Sequence, residues 1–67
     1  MVKFAKRLKE LRLENNMSRN KLAELMLIHP RTISYWELEQ RECNLEQLAQ
    51  LAKIFDVTTD FLLGLEN

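Results

Sequence analysis

Phe4, Leu8 and Leu11 recur at i, i+4 and i+7 with lysine and arginine between them, the single apolar stripe of an amphipathic helix over residues 2–14. Asn15-Asn16 closes that stretch. Ser18 then stands where an N-cap belongs, ahead of Leu22, Ala23 and Met26 on one face of a second, short helix, with Met17 placed as a hydrophobic staple onto Leu22. His29-Pro30 is the sharpest punctuation in the chain: proline has no N–H and a fixed φ, which suits the first position of a helix. A third helix is therefore predicted over residues 30–38, with Ile33 and Trp36 inward and Arg31, Thr32, Ser34 and Tyr35 on its outer faces. Asn44 caps a fourth helix carrying Leu45, Leu48, Leu51, Ala52 and Phe55 as its apolar stripe, ended by Asp56. Thr58 caps a last one over Thr59–Leu63, and the sole glycine, Gly64, takes the position after it, where positive φ is usual.

No alternating strand pattern, repeat or low-complexity tract interrupts these five segments, so the fold class is all-α and the whole chain, 1–67, reads as one domain. With 67 residues, such a domain buries only roughly 60% of its unfolded surface and leaves little interior for a substrate pocket. Binding is favoured over catalysis, since no nucleophile–base pair, phosphate loop or metal cluster stands out. No cofactor, metal or small-molecule substrate is expected: Cys43 is the one cysteine, and His29 has no ligating partner in sequence. No apolar run approaches a membrane span and no signal-peptide pattern opens the chain, which places the protein in the cytoplasm.

Ten basic and ten acidic residues give zero net charge, which alone argues against a nucleic-acid partner. Their distribution changes that picture. Through residue 41, nine basic residues face five acidic ones; beyond it Lys53 stands against five acids. The chain is a dipole of +4 and −4, and a basic segment of this kind reads as a candidate binding face.

Two helices joined by a three- or four-residue turn over residues 18–38 constitute a helix-turn-helix, whose second helix is sized for the major groove. The segment Ser18-Arg19-Asn20-Lys21-Leu22-Ala23-Glu24 with Thr32-Ile33-Ser34-Tyr35-Trp36-Glu37 resembles the phage-repressor (Cro/CI, or XRE) family of transcriptional regulators. The likeness extends to Phe4, Leu8, Lys9, Leu11 and Arg12 in the first helix and to the stretch from Leu51 through Phe55, Asp60 and Phe61 to Gly64 in the last two.

The resemblance implies a compact five-helix lambda-repressor-like domain that binds double-stranded DNA as a homodimer, on an operator with half-sites about 34 Å apart. It assigns base reading to Pro30, Arg31, Thr32, Ser34 and Tyr35. Arg31 is the strongest of these, because its fork can bond guanine O6 and N7 together. Phosphate contacts are expected from Ser18, Arg19 and Asn44 at two helix N-termini, and from Arg41 in the loop. Arg12 and Glu37 correspond to a family salt bridge that orients the arginine beside a phosphate, an exposed pair contributing ~0–1 kcal/mol. Phe61, Leu62 and Leu65 are the expected dimer contacts, with core packing within the monomer as the other reading of Phe61 and Leu62 from their helical phase.

The chain departs from the family at four points. Arg19 stands where glutamine is common; Leu27 stands where the turn usually has glycine and is expected either to strain the turn or to prop it by packing. Leu38, Glu39 and Gln40 replace a glycine-containing basic loop, and Cys43 replaces a frequent proline. Leu13, Leu25, Leu27, Leu38 and Leu65 are expected at the surface. They support a second reading, a protein-binding module on the same fold such as an antirepressor, an antitoxin or an assembly domain, with a protein partner.

Overall fold

The computed structural model describes residues 3–66. Five helices follow one another: α1 (Phe4–Glu14), α2 (Arg19–Met26), α3 (Pro30–Glu37), α4 (Leu45–Phe55) and α5 (Thr59–Leu63), with no strand among the described residues. The expected start of the first helix at residue 2 lies outside them. Each helix gives the core one side chain with none of its surface exposed: Leu8, Leu22, Ile33, Leu51 and Leu62. Phe4, Leu11, Met26, Trp36, Leu48 and Phe55 fill the space around these five, and Met17 packs against the cluster from outside. Phe4 meets Trp36 edge to face with ring centroids 6.3 Å apart, which fastens the start of α1 to α3.

Leu45 departs from the expected stripe. It is 83% exposed, because it is the first residue of α4 and precedes the turn at which that helix reaches the core. Asn44 caps α4 reciprocally: the Gln47 N–H donates to Asn44 Oδ1 at 2.8 Å, and the Asn44 N–H donates to Gln47 Oε1 at 2.9 Å. Ser18 and Thr58 accept the Lys21 and Phe61 N–H groups, each at 3.0 Å.

All five helices close in the same way. Asn16, Leu27, Glu39, Asp56 and Gly64 take left-handed φ values of 53°, 57°, 60°, 54° and 82°. Each is followed by a residue whose N–H reaches back five places, at Met17 to Arg12, Ile28 to Ala23, Gln40 to Tyr35, Val57 to Ala52 and Leu65 to Asp60, over 2.8–3.0 Å. This is the Schellman motif, which ordinarily prefers glycine at the left-handed position. Only one of the five has it. At Gly64 a second demand applies, since a Cβ there would lie 2.9 Å from Lys3 Cβ.

Arg7 pins α1 to the end of α5. Its guanidinium stacks 4.2 Å from the Phe61 ring centroid and donates to the Phe61 and Glu66 carbonyls.

Candidate nucleic-acid interface

The turn between α2 and α3 is three residues long. Leu27 supplies the left-handed step, and Ile28 packs against the core from the side. Leu27 does not prop the turn by packing: it is 92% exposed, so the turn is held by the Schellman bonds and by Ile28. His29 then caps α3, its Nδ1 accepting the Arg31 N–H at 3.0 Å.

With Ile33 and Trp36 buried, the 100° step of a helix sends Arg31, Ser34 and Tyr35 outward, with Pro30 and Thr32 on the flanks. Arg31 is exposed; Pro30, Thr32, Ser34 and Tyr35 are half-buried. All five base-reading candidates therefore reach the surface of one helix. The Arg41 guanidinium stacks on Tyr35, 4.6 Å from the ring centroid, a contact that no sequence spacing pointed to.

The polar candidates at the helix starts are partly engaged. Ser18 Oγ and Asn44 Oδ1 are occupied as cap acceptors, so toward an anion they offer the Ser18 hydroxyl hydrogen and the Asn44 amide hydrogens. The first turn of α4 also carries Glu46, which opposes a phosphate. The first turn of α2 has no acidic residue and begins with Arg19, which makes it the better anion-facing end of the two.

Arg12 and Glu37 require a correction. The family resemblance implies an exposed pair with the arginine beside a phosphate, but their side chains are 8% and 0% exposed. Arg12 Nε and Nη2 donate to Glu37 Oε2 and Oε1 at 2.7 and 3.0 Å, and Nη1 donates to the Met17 carbonyl at 2.9 Å. Arg19 Nε joins on Glu37 Oε1 at 3.1 Å. Two guanidiniums share one buried carboxylate and tie α1 and α2 to the last residue of α3. The pair orients the reading helix from inside, and the partly exposed Arg19 is the member with a face toward solvent.

The dimer candidates divide. Leu62 is fully buried in the core and has no surface to give a partner, because its phase on the short α5 turns it into the core cluster. Phe61 is half-buried, with one face under Arg7. Leu65 is 72% exposed. Leu13, Leu25, Leu27 and Leu38 are exposed as expected. Cys43 lies against the core from the loop before α4, and burial raises its thiol pKa to about 11.

Five helices with α2 and α3 as a tight helix-turn-helix define a DNA-binding-type domain of the phage-repressor (Cro/CI, XRE) class. The chain belongs to the helix-turn-helix family, whose profile matches residues 8–62. It is similar to the HTH-type transcriptional regulator AnsR of Bacillus subtilis (strain 168), 45% identical over 61 residues, covering 91% of this chain and 53% of AnsR. It is similar also to the HTH-type transcriptional activator BcrR of Enterococcus faecalis, 35% identical over 66 residues, 98% of this chain and 32% of BcrR. A third relative is the HTH-type transcriptional regulator ImmR of Bacillus subtilis (strain 168), 32% identical over 63 residues, 94% of this chain and 50% of ImmR. The chain thus spans between a third and just over half the length of these relatives. No helix among the described residues is long and apolar enough to cross a membrane.

Proposed function

We propose that the chain binds double-stranded DNA sequence-specifically through α3 and acts, in the cytoplasm, as a transcriptional regulator. One observation carries the reading: α3 presents Arg31 and Tyr35 outward while its last residue, Glu37, is locked from behind by Arg12 and Arg19. A reading helix must hold its side chains in register with base edges, and a buried bidentate clamp provides that rigidity. Base reading falls to Pro30, Arg31, Thr32, Ser34 and Tyr35, and phosphate contact to Ser18, Arg19, Arg41 and Asn44. The regulator represses where its operator overlaps a promoter, by exclusion, and needs no chemistry for this.

The working unit is a homodimer on a two-fold operator, with Leu65 and the uncovered part of Phe61 in the contact. The domain is 28 Å along its longest axis, so two copies side by side suit half-sites about 34 Å apart.

The test is selection from a random-sequence duplex pool across a salt series. Enrichment of a two-fold motif, with affinity falling steeply as salt rises, is the expected result. Absence of both enrichment and salt-dependent retention overturns the reading in favour of a protein partner for the exposed leucines.

A further inference from the structure

We infer that Arg41 is a specificity-determining residue that acts through Tyr35, holding the tyrosine ring in one orientation on the reading face; the inference rests on the DNA-reading role proposed for α3. Arg41 is tied to Tyr35 at both ends. Its guanidinium carbon lies 4.6 Å from the Tyr35 ring centroid, and its main-chain N–H donates to the Tyr35 carbonyl at 3.3 Å. The Gln40 N–H donates to that same carbonyl at 2.8 Å, with Glu39 in the left-handed conformation that turns the chain back. The loop after the reading helix is thereby folded onto the residue that the helix presents.

A half-buried tyrosine on an outer helix face has two side-chain torsions to settle, and an unsupported ring averages its contacts over several rotamers. A planar cation on one face removes part of that freedom, and leaves the opposite face, the ring edge and the hydroxyl for a base pair. Arg41 is exposed while stacked, so its guanidinium is still open to a phosphate. The two roles separate chemically. A phosphate contact depends on charge and survives replacement by lysine, whereas a stacked lid depends on the planar guanidinium and does not.

Two measurements test the inference. In the free protein, the Arg41 δ-methylene protons are expected to resonate upfield under the Tyr35 ring current and to lose that shift in Tyr35→Ala; random-coil positions in the wild type overturn it. In the duplex selection, Arg41→Lys is expected to keep the salt dependence of wild type but to lose about two- to fivefold of the preference at a single base step per half-site. Tyr35→Ala should lose preference at that same step. An Arg41→Lys protein with wild-type preference throughout reduces Arg41 to a charge and overturns the inference while leaving DNA reading intact. Failure of the wild type itself to enrich any duplex, with the ring-current shift present, rejects the DNA-reading role and this refinement together. Arg41→Ala serves as the second variant, and matched thermal unfolding of all proteins excludes misfolding as the cause.

Discussion

Arg12 and Glu37, 25 residues apart in sequence, meet side-on inside the protein, with Nε–Oε2 at 2.7 Å and Nη2–Oε1 at 3.0 Å. The Glu37 side chain is wholly excluded from solvent, and its second partner, Arg19, comes from the start of α2. Removing one partner of a buried pair leaves an uncompensated charge, an effect of about 3–5 kcal/mol, whereas losing an exposed pair removes at most ~1 kcal/mol. For a domain of 67 residues the larger figure is most of the total stability. Glu37→Ala is therefore expected to be largely unfolded at room temperature. Glu37→Gln, which keeps an acceptor for Arg12, should fold with reduced stability. Denaturant titration of both variants decides it: a loss below 1 kcal/mol in Glu37→Ala means the pair behaves as a surface pair.

Leu27 occupies a left-handed position with φ 57° and has 92% of its surface exposed. A side chain in that conformation costs about 1–2 kcal/mol, and here no packing offsets it. Leu27→Gly relieves the strain but adds freedom to the unfolded chain, which returns about 0.4–1 kcal/mol of the gain. The net expectation is stabilisation by about 0.5–1 kcal/mol, visible as a melting temperature higher by several degrees. An unchanged or lower melting temperature contradicts it.

The same motif shows how much of the fold could be read from the residues. The helix starts were legible because Ser18, His29-Pro30, Asn44 and Thr58 mark them chemically, through side-chain acceptors and a proline. The last helix end was legible because Gly64 marks it. The fourth helix ends at Asp56 as expected; what was not legible is that Glu39 and Asp56 take left-handed φ without glycine, where the bonds from Gln40 and Val57 override residue preference. The candidate site divides similarly. Helical phase was enough to put Arg31 and Tyr35 outside, since it depends only on Ile33 and Trp36 facing in. Burial of Glu37 was not legible, because it arises where α1, α2 and α3 converge, and for Leu62 the five residues of α5 give too little periodicity to choose between core and dimer surface.

Gly64 meets two constraints, and they can be separated. Alanine at φ 82° is strained by itself, and its Cβ would stand 2.9 Å from Lys3 Cβ and 3.0 Å from Lys3 Cδ. Gly64→Ala is expected to lose about 1–2 kcal/mol from φ alone, with more from displacing the residue before α1. In a Lys3→Gly background the contact disappears, and the loss should shrink to the φ component. Equal losses in both backgrounds would show that Lys3 moves aside freely.

Cys43 has its thiol pKa raised from 9.0 to about 11, chiefly by burial against the core. At neutral pH the thiol is therefore protonated and slow toward alkylating reagents, as a nucleophilic thiolate is scarce. In the unfolded chain the group ionises near its ordinary value, so above about pH 9 the unfolded state binds fewer protons than the folded one. Stability then falls as pH rises from about 9 to about 11, while Cys43 makes no such contribution below pH 9. Comparing the alkaline stability profiles of wild type and Cys43→Ser, the wild type should show the steeper fall across that window; parallel profiles remove the thiol from the account.

Arg31 is exposed near the start of α3, its N–H held by the His29 ring, and no ion pair or side-chain hydrogen bond engages its guanidinium among those found in the described residues. A fork so placed can bond a guanine edge in two places, discriminating against other bases by about 1–3 kcal/mol. Arg31→Ala should relax one position per half-site of the selected motif, by roughly tenfold, with the remaining positions unchanged. Arg19→Gln, in contrast, removes a charge bonded to Glu37 at the anion-facing end of α2, and should weaken all sequences alike and flatten the salt dependence by about one ion. Selection of both variants from one pool at two salt concentrations separates the outcomes. A uniform loss in Arg31→Ala would reassign it to the phosphate backbone, and a position-specific loss in Arg19→Gln would move Arg19 among the base readers.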